Sequence, residues 1–210
     1  MAGLLDLLNS DIGKQLISGA SAQTGASEEK TSDVLSMALP LLLGAMKKNS
    51  QSTEGAQGLM GALSNKHDGS ILDNLGSILG GGVDQNVMDD GAGILGHILG
   101  NKQPVVENTL SQKSGLDSGT IAQILKVAAP VLLGVLGKQT RQNNVNDSNG
   151  LSSLLGSMLG GQPKQNQSLI ESLIDQDGDG SVLDDVAGMV LGAKKNKGGL
   201  GGMLGGLFGK

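Results

Sequence analysis

The 210-residue chain contains no cysteine, tryptophan or tyrosine, and Phe208 is its single aromatic residue. Without cysteine, disulfides and thiol chemistry are excluded. Without aromatic rings, which supply the largest buried areas, the core must be built from Leu, Ile, Val, Met and Ala on closely approaching backbones, and 36 glycines suit that requirement. Positive charge is also scarce. Lys and Arg number 15 against 20 Asp and Glu, the net charge is −5, and Arg141 is the only arginine. A chain with neither a basic stripe nor a stacking platform is not expected to bind nucleic acid. The longest strongly apolar run, VLSMALPLLLGAM at 34–46, has 13 residues, short of the roughly 20 that cross a bilayer. No transmembrane segment is therefore expected, and the run reads as a buried helix. No leader pattern follows Met1, so the expected compartment is the bacterial cytoplasm.

What the sequence does contain is a repeat. SAQTGASEEKTSDVLSMALPLLLGAMKK from Ser21 aligns with SQKSGLDSGTIAQILKVAAPVLLGVLGK from Ser111 at a constant offset of 90. Gly25, Leu35, Ala38, Pro40, Leu42, Leu43, Gly44 and Lys48 meet identical residues at Gly115, Leu125, Ala128, Pro130, Leu132, Leu133, Gly134 and Lys138. Further on, DGSILDNL from Asp68 pairs with DGSVLDDV from Asp179 at an offset of 111, which places about 20 extra residues in the second copy. The polar stretch 138–150 is the expected site of much of that insertion. Apolar residues recur at spacings of three and four in LLDLLNSDIGKQLI, GLMGAL, ILGHILG and LIESLI, with no sustained alternation of the β kind. The expected fold is an all-α multihelical bundle with an internal duplication. One domain, 1–192, holds two pseudo-symmetric repeats at about 12–82 and 90–192, followed by a Lys/Gly-rich linker and Gly-Leu tail at 193–210. The Pro-centred helices should kink or restart at Pro40 and Pro130 and pack beside each other in a shared core.

One stretch carries ligand-binding chemistry. In DQDGDGSVLDDV, Asp175, Asp177 and Asp179 alternate and Gly180 follows, which is the opening of an EF-hand-type calcium loop. The carbonyl of Ser181 falls at the seventh position. Val186 stands where the bidentate carboxylate belongs, and Asp184 and Asp185 could close the shell only if the next helix begins early. The competing reading of the same residues is a helix-capping turn. In the first copy Asp68, Gly69 and Ser70 persist, while Ser64 and Lys66 replace Asp175 and Asp177.

Other candidates are weaker. His97 lies among Ile94, Leu95, Ile98 and Leu99 and is expected to be packed or half-exposed; His67, beside Asp68, is expected to be a solvated turn residue. The pairs Asp89/Asp90 and Asp184/Asp185 fall near expected helix starts, where the helix dipole favours negative charge. No histidine–acid arrangement marks any serine as a nucleophile.

The segments LPLLLGAM and APVLLGVLG, GAGILGHILGNK from Gly91, DGDGSVLDDVAGM and the Gly-Leu tail together resemble the bacterial DUF937, or YidB-like, family over nearly the whole chain. That resemblance implies an all-α fold with an internal repeat and a family without an established biochemical activity, and it carries over no catalytic residues.

In the tail, Leu200, Met203, Leu204, Leu207 and Phe208 follow an amphipathic-helix spacing with glycine on most of the opposite face. Each interior glycine weakens a helix by about 1 kcal/mol. The tail is therefore expected to order only against an apolar surface: a protein groove, another copy's tail or, less favoured, a lipid interface. The expected function is a non-enzymatic structural or interaction module that self-associates or binds a protein partner through this tail. The alternative is a calcium-binding regulator using the 175–185 loop, with an enzyme as the third reading.

Overall fold

A computed structural model describes residues 4–160 apart from Gly81. Among the described residues there are nine α-helices: α1 (Leu4–Asn9), α2 (Asp11–Thr24), α3 (Glu28–Asn49), α4 (Thr53–Asn65), α5 (Leu75–Leu79), α6 (Gln85–Leu99), α7 (Gln103–Ser114), α8 (Ser118–Gln142) and α9 (Ser148–Leu159). Short 3-10 turns at Ser70–Asn74 and Gly100–Lys102 complete the path. Side-chain caps define the starts. Ser10, Ser27, Ser52, Asp84, Asp117 and Asp147 accept from the backbone N–H of Gly13, Lys30, Gly55, Asn86, Thr120 and Gly150, each such cap being worth about 1 kcal/mol.

The two apolar helices α3 and α8 pack against each other, and residues of both belong to one hydrophobic core. Every residue from Ala38 to Met46 in α3 and from Val127 to Gly137 in α8 is buried. By length and composition α8 could cross a membrane, yet most of its apolar stretch is covered by neighbouring helices. Both helices run through their prolines without restarting. Pro130 has no N–H to donate to the carbonyl four residues earlier, which is that of Lys126. At that carbonyl α6 packs tightly, and a Cβ built on Gly91 would lie 1.9 Å from the Lys126 oxygen. The close contact between α6 and α8 thus uses a carbonyl that the proline leaves free.

Residues 90 apart also have matching local structure. Gly25 and Gly115 end α2 and α7 at φ 73° and 70°. Ser21 and Ser111 donate their hydroxyls to the carbonyls of Ala26 and Leu116, both at 2.6 Å, and Ser27 and Asp117 cap α3 and α8. The coverings cross over: α4 packs on α8, whereas α9 packs on α3. The caps of α4 and α9, Ser52 and Asp147, stand 95 positions apart. That spacing exceeds 90 by only five, and α8 runs to Gln142, three residues past the position matching the end of α3 at Asn49.

One buried group breaks the match. Thr31 is fully buried and its hydroxyl oxygen has no hydrogen-bond partner among the described residues; the corresponding Ile121 is equally buried and apolar. Since an unsatisfied buried hydroxyl costs about 1–3 kcal/mol, Thr31→Val should stabilise the fold by about 1 kcal/mol. Thermal unfolding checks this: Tm should rise by roughly 2–4 °C, and a fall would reveal a role for the hydroxyl.

Candidate functional site

Directly after α4 the chain turns over the surface of α8. Lys66 and His67 both donate their backbone N–H to the Ala62 carbonyl, and Gly69 takes φ 102°. Asp68 accepts from the Ser70 N–H at 3.0 Å and from Arg141 at 3.0 Å. These contacts, the Ser70 hydrogen bonds foremost, hold its carboxyl below the ordinary range. The turn rests on bare backbone, because a Cβ built on Gly137 would lie 1.9 Å from the His67 carbonyl oxygen and one on Gly134 would lie 2.5 Å from Ile71 Cγ2.

This seat inserts His67 into the protein. Its side chain is 5% exposed and its Nε2 lies 3.6 Å from Asp90 Oδ2, while the Lys66 ammonium pairs with the other Asp90 oxygen. Burial is the main force lowering the imidazole pKa; Asp90 opposes it and the Lys66 charge adds to it. The expectation of a solvated turn histidine is thus corrected, because a backbone contact with a glycine about 70 residues away decides its burial. Asp89 and Asp90 lie in the second turn of α6, past its Asp84 cap, so they do not serve the helix start.

Lys66, His67 and Asp90 close one end of a groove between α4 and α6, two helices that do not pack along their length. The groove encloses about 1040 Å³, with buried Met46 of α3 and Leu133 of α8 in its lining. Leu59 and Ala62 contribute from α4, and Val87, Ile94 and Ile98 from α6. At the far end, Asn49 donates from the end of α3 to the carbonyls of His97 and Ile98 at 3.1 and 3.3 Å. His97 itself is exposed within the groove lining. Glycine keeps the walls low. Gly58 and Gly93 both line the groove, and a Cβ built on either would meet nothing within 4 Å. Glu54 and Asp89 are exposed acids of the lining.

The proposed calcium residues Asp175, Asp177, Asp179, Ser181, Asp184 and Asp185 lie outside the described residues, as does the tail at 193–210. Among the described residues no three His, Asp or Glu side chains are grouped to hold a metal ion. The groove had no signal in the sequence beyond its open glycines, because its walls come from helices that are not consecutive.

Fold and groove together define the class: an all-helical bundle with a glycine-walled apolar groove, built around two Pro-centred helices. The chain belongs to the family described as bacterial protein of unknown function (DUF937), whose sequence model matches residues 6–139 and 141–210. No curated protein and no solved structure gives a match.

Proposed function

We propose that the protein is a non-enzymatic interaction module, acting in the cytoplasm, that self-associates by seating the Gly-Leu tail of a second copy, residues 198–210, in the α4–α6 groove. The groove itself is the observation that carries this reading: an apolar floor, walls opened by Gly58 and Gly93, and acidic Glu54 and Asp89 in the lining. The tail offers the complement. Its apolar residues are spaced as on one face of a helix, its glycines would permit close backbone approach, and Lys194, Lys195 and Lys197 precede it. The titratable groups at the groove end are engaged with one another, an arrangement that favours binding over acid–base chemistry. The matching caps and crossed coverings support reading the two halves as duplicates of one unit, the second of which ends in the tail.

A labelled peptide of residues 194–210 should bind a chain ending at Ala193, measured by fluorescence anisotropy. Gly58→Leu and Gly93→Leu, which fill open space, should each weaken binding at least tenfold without lowering Tm. In the full-length protein, the same changes should abolish concentration-dependent mass in light scattering. Equal affinity for the filled and open grooves would overturn the proposal.

Calcium regulation is the second reading, and a charge comparison favours it. The first turn is neutralised by Lys66 at Asp90 and Arg141 at Asp68. At the matching sequence positions Asp177 of the second half stands for Lys66 and Gln51 of the first half for Arg141, so the second loop gains acids and loses both cations. Asp175, Asp177, Asp179, the Ser181 carbonyl and Asp184 or Asp185 would hold the ion. Saturating calcium should then raise Tm by several degrees, a ligand at 100 times its Kd contributing about 2.7 kcal/mol. The double variant Asp175→Ala/Asp177→Ala should lose this response; equal shifts in both proteins would exclude the site.

A further inference from the structure

We infer that Lys66, His67 and Asp90 form a clasp across one end of the α4–α6 groove that opens on acidification, so that the groove takes its occupant more tightly below about pH 6 than above about pH 7. The inference rests on the reading of that groove as a binding site and adds its control.

The two ends of the groove are tied differently. At the far end Asn49 holds the carbonyls of His97 and Ile98, neutral hydrogen bonds that acidification leaves in place. At the near end the tie is ionic: Lys66 pairs with one Asp90 oxygen, and His67 Nε2 lies 3.6 Å from the other. The Lys66 side chain is 69% exposed, so its pair alone holds little. The seat of the buried imidazole therefore decides whether this end is shut.

The charges around that seat are Asp90 of α6, Lys66 and Asp68 of the turn itself, and Lys138 and Arg141 of α8 beneath the turn. Asp68 is engaged by Ser70 and Arg141. The only charged residue of α4 is Glu54, in its first turn, and Asp73 of the following 3-10 turn is exposed. Asp90 favours a charged imidazole, Lys66 opposes it, and burial is the largest influence. A seated His67 thus takes a proton less readily than one withdrawn into water, where its pKa is about 6.5. Below that pH, protonation favours withdrawal, and the opening equilibrium rises by at most about tenfold per pH unit.

Movement of the turn carries Lys66 away from Asp90 together with its neighbour. It also uncovers the bare backbone at Gly137, on which the His67 carbonyl rests. The groove then gains floor, and the Asp90 carboxylate is left to receive a basic group of the occupant. His67 and His97 are the only histidines and cysteine is absent, so these two side chains are the ones that ordinarily titrate between about pH 5.5 and 7.5. His97 lies at the other end of the groove lining, where Asn49 holds its carbonyl.

Hydrogen exchange of the full-length protein, corrected for intrinsic rates, reads the clasp through the amides of Lys66, His67 and Ser70. These should open more often than the core amides of α8, and their opening constant should rise about threefold to tenfold from about pH 7.5 to about pH 5.5. Over the same range a peptide of residues 194–210 with a pH-insensitive rhodamine label, which carries no histidine or acidic side chain, should bind the full-length protein at least about threefold more tightly. Both responses should vanish in His67→Asn, or in His67→Gln should the asparagine fail to fold, and persist in His97→Gln. Turn amides that open only with the α8 core, or a wild-type opening constant indifferent to pH, would overturn the clasp. Responsive amides with equal peptide affinity at both pH values would overturn the control of the groove while its occupancy stands. Responsive amides with no peptide bound at either pH would support the clasp and overturn the tail as occupant.

Discussion

Gly91→Ala should lower Tm by roughly 6–12 °C, while Gly93→Ala, two residues along the same helix, should raise it. Position 91 faces the Lys126 carbonyl, from which an added Cβ would be 1.9 Å away, and position 93 faces open space. A flexible side chain could move aside, but this oxygen belongs to the backbone of α8. Relief therefore requires α6 to shift off the helix it packs on most extensively. Overpacking costs about 1–3 kcal/mol and occasionally more, and the helix propensity gained from alanine returns only about 1 kcal/mol. A collision at 1.9 Å with backbone that cannot move aside belongs to the costlier cases, at about 4 kcal/mol, so the net loss is about 3 kcal/mol, which at 2–4 °C per kcal/mol gives the stated fall. At Gly93 the propensity gain is unopposed, so stability should rise by up to about 1 kcal/mol. Parallel calorimetric melts decide it, and equal responses at the two sites would refute the close approach.

Gly137→Ala should be comparably damaging, at about 3 kcal/mol, and should also change how stability depends on pH. The Cβ would collide with the His67 carbonyl and come within 3.1 Å of Asp68 Cα, lifting the turn that buries the imidazole. In the wild-type fold burial favours neutral His67, so its pKa lies below the ordinary 6.5. As pH falls, the unfolded chain takes the proton first. The contribution of His67 to stability is therefore complete above about pH 6.5 and declines as pH drops below it. A variant with His67 unseated should lose that part of the pH dependence, and the His67 NMR titration should move up towards 6.5. Should Gly137→Ala not fold, His67→Asn in the wild-type background should remove the same pH dependence. An unchanged His67 midpoint in folded Gly137→Ala would contradict the seat described for it.

The helical architecture was legible because it is written in local spacing, and the pairing of Pro40 with Pro130 because a constant offset of 90 survives in the core residues. The groove was not legible, since α4 and α6 are separated in the chain by the turn and α5, and nothing in GLMGAL or GAGILG says which glycines face a neighbour. The structure divides them: Gly55, Gly91 and Gly137 meet backbone, whereas Gly58, Gly61, Gly93 and Gly96 meet open space. His67 was misjudged for a related reason. Its neighbours Lys66 and Asp68 suggest a solvated turn, but a missing side chain at position 137 sets its depth. In the polar run 138–150, α8 continues to Gln142 and α9 begins at Ser148.

The crossed covering of α3 by α9 and α8 by α4 has a consequence for synthesis. Helix α3 is complete once Asn49 has been made, yet α9, which covers one of its faces, ends at Leu159, about 110 residues later. At the usual 5–20 residues per second, that face of α3 waits roughly 5–20 s for its cover. Helices α1 and α2 can pack on α3 as soon as it is made, but the face that α9 takes stays open until the second half is complete, and any delay between residues 50 and 159 lengthens that exposure.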